Sequence, residues 1–191
     1  MVATQVLLTR RIFDYEYKSR QMLYGLPLVH IHIGFGAKKA KGIIAIGNLA
    51  TGVLSIGLLS MGILSFGLLS LGVIGIGVLS LALLLAIGSI SAGMFSIGAV
   101  AFGIVTLGAV SIGMYSVGAL SIASRVAVGD YAYGYIAVGR VVDGVITFMD
   151  TSGANNVNFS AISRDDVRRA ILTEFPNTWN WIVNLITSML R

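Results

Sequence analysis

Glycine returns at every fifth residue over most of this chain, and that spacing limits the possible folds more than any other feature. It occupies 42, 47, 52, 57, 62, 67, 72 and 77, with Ala82 in the next slot. After a one-residue slip it resumes at 88, 93, 98, 103, 108, 113 and 118, with Ala123 following. A second slip leads to 129, 134, 139 and 144. The unit reads glycine, large apolar, aliphatic, Ser or Ala, large apolar, as in Gly57-Leu58-Leu59-Ser60-Met61.

Two structures compete for this segment. Transmembrane helices would suit its apolarity, but a five-residue step advances about 140° around a helix and smears glycine and serine over every face. Glycine also costs about 0.8–1 kcal/mol at each helical position, and no polar, Pro-marked stretch is available for turns between spans. A β-solenoid has neither difficulty, because short strands stack coil on coil with each repeat above an equivalent one. The periodicity favours the solenoid.

Column chemistry then suggests which side chains face inward. The second position after glycine (Ile44, Leu49, Leu54, Leu59, Leu64, Leu69) stays aliphatic or aromatic through the regular repeats. The first position admits Asn48, Ser89, Asp130 and Arg140, and the fourth admits Thr51 and Asp143. A column that tolerates charge is expected outside and one that never does inside, with glycine two residues earlier on the same side. On that reading the serine column (Ser55, Ser60, Ser65, Ser70, Ser80, Ser111, Ser116, Ser121) faces out, either at a tight corner or as a close-packing surface between copies.

This pattern resembles the pentapeptide-repeat family over about 42–148. The resemblance implies a right-handed quadrilateral β-helix, with a small residue and a large aliphatic one pointing inward. The chain departs from that family in lacking its Asp/Asn position and in its apolar exterior. Tyr15-Glu16-Tyr17-Lys18-Ser19, Gly25-Leu26-Pro27-Leu28-Val29-His30-Ile31 and Gly42-Ile43-Ile44-Ala45-Ile46-Gly47 are also similar to uncharacterised bacterial proteins with hydrophobic glycine-rich five-residue repeats. Together these predict a mainly β fold: a right-handed quadrilateral β-solenoid of about five coils, with an apolar exterior and a C-terminal helical cap. The expected divisions are a basic N-terminal segment (1–41), the solenoid (42–148), and a linker with C-terminal helices (149–191).

Charge is placed as unevenly as glycine. Residues 1–41 carry seven Lys and Arg against Asp14 and Glu16, residues 42–124 carry no charged residue or histidine, and residues 125–191 balance six arginines against six acids. A neutral middle between charged ends is the layout of a chain that enters an apolar medium. No base-reading motif accompanies the basic end, so a nucleic-acid partner is not expected, and anionic headgroups meeting Lys38, Lys39 and Lys41 explain it more simply. No cleavable signal peptide is expected, because Arg10 and Arg11 follow the first apolar residues instead of preceding them.

The outer apolar residues, including Ile43, Leu58, Met61, Phe66, Leu68, Leu71, Met94, Phe102 and Met114, are each worth about 1.5–3 kcal/mol when withdrawn from water. Their sum exceeds the usual 5–15 kcal/mol stability of a domain, so membrane lipid or further copies of the chain must cover them. Coils about 4.8 Å apart would make a rod of roughly 24 Å, near the hydrocarbon thickness of about 30 Å. The expected role is a structural, self-associating element of a bacterial cytoplasmic membrane, with the basic end in the cytoplasm. The alternative is a soluble subunit of a cytoplasmic or surface filament, joined by end-to-end and lateral apolar contacts.

Residues 12–19 and 29–33 alternate like strands. Ser163-Arg164-Asp165-Asp166 reads as a capping box opening a helix to about Phe175, stopped by Pro176. A second helix from about Thr178 places Trp179, Ile182, Val183, Ile186, Met189 and Leu190 on one face. It either covers the last coil's open edge or lies in a membrane interface with Trp179 and Trp181 at the headgroups.

Sites for chemistry are sparse. His30 and His32 share one strand face, but two ligands without a third make a weak metal site. Gly34-Phe35-Gly36 before Lys38-Lys39 fits no phosphate-loop pattern, and the recurrent serines follow the repeat and not a nucleophile elbow. Asp130, Arg140 and Asp143 read as a solvated face. No enzymatic activity, cofactor, metal or small-molecule substrate is expected.

Overall fold

The computed structural model describes residues 15–23, 25–34, 39–149 and 162–189. The fold is mainly β, with two short helices near the C-terminus. In chain order the strands are β1 (Tyr15–Lys18), β2 (Met22–Leu23), β3 (Leu26–Pro27), β4 (Val29–Ile33), β5 (Lys39–Tyr133), β6 (Ile136–Asp143) and β7 (Ile146–Met149), followed by α1 (Arg164–Glu174) and α2 (Asn180–Ser188). One mixed sheet has the order β1-β4-β5-β6-β7, and β2 and β3 form a separate antiparallel pair. β1 joins β4 antiparallel, whereas β4–β5, β5–β6 and β6–β7 are parallel. The chain divides into two compact units between Met94 and Phe95.

Register shows how the repeat is used. Val126 pairs with Ile136, and Ile136 with Ile146, an offset of ten residues. Within β5 the same offset recurs: a Cβ placed on Gly52, Gly62 or Gly72 would overlap the carbonyl oxygen of Gly42, Gly52 or Gly62. Equivalent strand positions therefore pair at an offset of two five-residue units, not the four that a quadrilateral coil implies. The expectation of about five coils and the length derived from it lapse accordingly. Glycine is required at these slots because backbone lies directly against backbone there.

The interior differs from the sequence expectation as well. Ser55, Ser60, Ser65, Ser70 and Ser80 are buried in the first unit, as are Ser96, Thr106, Ser111, Ser116 and Ser121 in the second. Ala45, Ala50, Ala86 and Ala101 fill the same column and are buried too. Leu59, Leu64 and Leu69, expected inside, are exposed. In the first unit the buried residues of the repeat are thus small ones against glycine, whereas in the second unit Val105 and Tyr115 of the expected inward column are buried. Absence of charge marks a column as interior only when the exterior is polar. Here the exterior carries no charge between 42 and 124, so volume and not polarity separates the two sides. Two outward residues in succession, such as Ile63 and Leu64, break strict strand alternation.

Two units contain six residues instead of five, Ala82–Ile87 and Ala123–Val128. Each begins with alanine in the glycine slot, and across each the offset becomes eleven, as between Gly77 and Gly88 and between Gly118 and Gly129. The extra residue is a bulge in the stack, and Leu83 there projects outward with two-thirds of its surface exposed.

In the second unit, α1 and α2 complete a conventional apolar core. Val105, Tyr115, Val126 and Ile136 pack with Val167, Ile171, Ile182, Val183 and Ile186. The strand residues recur at intervals of ten or eleven, so the helices cover a strip running across successive strands. That arrangement differs from the expected cover over the last open edge alone. Ser163 caps α1 by accepting from the Asp166 amide at 3.4 Å, as the capping pattern predicts.

Candidate lipid-facing and self-association surface

The outer surface follows from the alternation. With the fourth position and glycine turned inward, the fifth, first and second positions remain for the exterior. Leu58, Met61, Leu68, Leu71 and Phe102 are exposed as expected, several by about half of their area. Ile43, Phe66, Met94 and Met114 are only partly exposed. Met114 packs against the helix-covered core of the second unit. In the first unit, Ile33, Ile46, Ile56, Leu58 and Phe66 line a shallow apolar groove.

Most of the interior serines are held loosely, Ser121, which donates to the Ser116 carbonyl at 2.8 Å, being an exception. Ser55, Ser60 and Ser65 donate to the Leu64, Leu69 and Ile74 carbonyls at 3.3–3.4 Å, which is long for a hydroxyl. Ser70, Ser80, Ser91, Ser96 and Thr106 hydroxyls make no hydrogen bond among the described residues. Hydroxyls inside and aliphatic groups outside invert the polarity of a water-soluble protein.

Positive charge collects at the N-terminal border of this surface. Lys39 and Lys41 are exposed, and Lys38 lies outside the described residues. At the C-terminal end Asp130 and Arg140 are half-buried and Asp143 is exposed.

On α2, Ile182, Val183 and Ile186 are buried. Trp179 and Met189, expected on the same face, are exposed at 60% and 41%, and Leu190 lies outside the described residues. The Trp179 and Trp181 rings stack at 6.2 Å, and Phe95 meets Trp181 at 5.4 Å. Arg125, in the second bulge, fixes the link between the helices. Its Nη1 donates to Tyr115 Oη at 2.9 Å, its guanidinium lies over Phe175, and Tyr115 Oη meets Thr178 Oγ1 at 2.8 Å. Tyr135 donates to Glu174 at 3.0 Å, and that carboxylate pushes the phenol above its usual range.

The N-terminal edge of the first unit holds a third ligating group that the sequence reading missed. Antiparallel pairing sets Glu16 opposite His32, joining it to the His30–His32 pair. Lys18, 2.8 Å from Glu16, holds the Glu16 carboxyl below its usual range, chiefly through their hydrogen bond. The alternation of 12–19 already placed Glu16 and Lys18 on one face, and the pairing register was the signal still needed.

Among the described residues, no helix is long and apolar enough to cross a membrane. No protein-family model matches the chain, and no curated protein or solved structure is detectably similar to it.

Proposed function

We propose that the chain is a structural, self-associating β-solenoid embedded in a membrane, without catalytic activity. In this reading the solenoid is right-handed, with two five-residue units per coil. The kinship with pentapeptide-repeat proteins is one of repeat grammar, without the square cross-section. The observation that carries the proposal is the inverted polarity of the repeat. Buried serine beside exposed leucine lowers free energy when the surroundings are less polar than water.

A coil stack suits lipid for a second reason. Backbone groups in an apolar medium must be satisfied internally, and parallel coil-to-coil pairing does so except at the terminal strands. Lys39 and Lys41 meet anionic headgroups at the cytoplasmic border, and Trp179 and Trp181 sit at an interface. Ile43, Leu58, Met61, Phe66, Leu68, Leu71, Met94 and Phe102 face acyl chains or a neighbouring copy, whereas Met114 packs under the helices.

The test is fractionation of cells expressing the full chain, followed by flotation with lipid vesicles and detergent extraction. Retention in membranes through alkaline washing and release by detergent as an oligomer are expected. Monodisperse protein in detergent-free buffer would refute the proposal, and lipid-free fibres would replace it with the filament. Leu58→Lys with Leu68→Lys sharpens the assay, because lysine facing lipid costs a β-sheet membrane protein about 2–4 kcal/mol per site at the midplane. The pair abolishes retention if these positions face lipid.

A further inference from the structure

At the N-terminal edge of the first unit, β1 and β4 bring three ligating side chains together. His30 and His32 lie two residues apart on one strand and so share a face, with their rings stacked at 6.1 Å. Register places Glu16 opposite His32 and Lys18 opposite His30. The ligating atoms of Glu16, His30 and His32 all lie within 4.8 Å of one another. An independent observation points the same way. His30 is only 5% exposed, and its Nε2 makes no hydrogen bond, although Glu16 Oε1 lies 3.4 Å away. A buried ring nitrogen whose one polar neighbour is a carboxylate at this long distance is poorly satisfied.

We propose that Glu16, His30 and His32 form a three-ligand site for a divalent transition metal of the zinc type. Two imidazoles and one carboxylate suit borderline cations better than magnesium or calcium, which prefer all-oxygen shells. Tetrahedral bonds of about 2.0–2.1 Å bring ligand atoms to roughly 3.3 Å from one another, so the cluster contracts on loading. Glu16, exposed at the edge, supplies most of that movement, and water takes the fourth position.

Two rearrangements accompany binding. Lys18 Nζ, now 2.8 Å from Glu16 Oε1, gives way to the cation. His30 Nδ1 accepts from the Lys41 amide at 2.9 Å, which places the ring proton on Nε2. Binding at Nε2 moves that proton to Nδ1, so the Lys41 amide gives up its acceptor and the ring turns until Nδ1 donates to the Lys41 carbonyl, now 3.2 Å away. Carbonyl support of the far ring nitrogen is the usual outer shell of a metal-bound histidine. The loaded site ties β1, a four-residue strand exposed along its whole length, to β4.

The experiment uses the full chain without an affinity tag, stripped with chelator in detergent and titrated with Co(II), then Zn(II). One Co(II) per chain is expected, with the visible absorption of a four-coordinate site, bleached by Zn(II). Glu16→Gln and His32→Ala each weaken Co(II) binding at least tenfold, and Lys18→Ala, which removes the competing ammonium, strengthens it several-fold. Neither ligand variant alters a large buried side chain, and an unchanged strand signal in circular dichroism confirms the fold. Absence of saturable uptake, or uptake unaffected by both ligand variants, overturns the proposal.

Discussion

Gly62→Ala separates the stacked-strand fold from a helical one by the sign of its effect. In a helix the change would add about 0.8–1 kcal/mol of stability. In this structure the new methyl overlaps the Gly52 carbonyl oxygen, with Ser55 Oγ the next neighbour at 3.1 Å. Ordinary contact requires the two backbones to part by more than an ångström, which the ladder on either side resists. Overpacking costs about 1–3 kcal/mol, and each backbone hydrogen bond lengthened beyond use adds about 1 kcal/mol. The smaller entropy of unfolded alanine returns at most about 1 kcal/mol. With two such bonds affected, the expected net loss is about 2–4 kcal/mol. In a chain of this length that lowers Tm by about 10 °C, read by circular dichroism of the detergent-solubilised protein. Gly25→Ala is the control: its φ of 78° disfavours alanine, but nothing lies within 4 Å of the new Cβ, so the loss is about 1 kcal/mol. A Gly62→Ala protein as stable as the parent, or more so, would refute the stacking argument.

Ser70→Ala removes a buried hydroxyl without a partner and is expected to be neutral or stabilising by up to about 1 kcal/mol. Ser70→Leu overpacks the narrow interior and lowers Tm in the same melt. Arg125→Ala breaks the bond to Tyr115 and the contact over Phe175, at a cost of about 1–3 kcal/mol. Faster tryptic cleavage at Arg164 and Arg168 reports the loosened helices. The raised Tyr135 pKa stabilises the fold at pH values below the phenol's ordinary value of 10.0. That contribution disappears as pH rises through the folded pKa. The helices therefore loosen in strong alkali, and Tyr135→Phe removes this component of the pH dependence.

Much of the fold was legible because the repeat is strict. Glycine spacing gave strands over helices, and the Ser163 capping pattern gave α1 almost to the residue. The interior was misjudged for a physical reason. The absence of charge from their column points Leu59 and Leu64 inward, yet the whole outer surface lacks charge there. Invariant smallness at Ser60 and Ser65 carried the needed information, since only small side chains fit between closely apposed backbones. The pairing offset is not legible either, because a five-residue unit divides ten as evenly as twenty. Glu16 escaped notice because its neighbours in space lie fourteen and sixteen residues away in sequence, joined only by the antiparallel register.

The two six-residue units have a consequence for how the chain finds its register. Where successive turns carry nearly the same side chains, misthreading by one whole turn sacrifices little packing, so the growing stack has few means of proofreading. The bulges at Ala82–Ile87 and Ala123–Val128 are local landmarks, because a ten-residue shift would set an extra residue against a regular neighbour. Cutting either back to five residues would preserve every interior contact type while erasing an address, yielding a mixture of threadings in place of one.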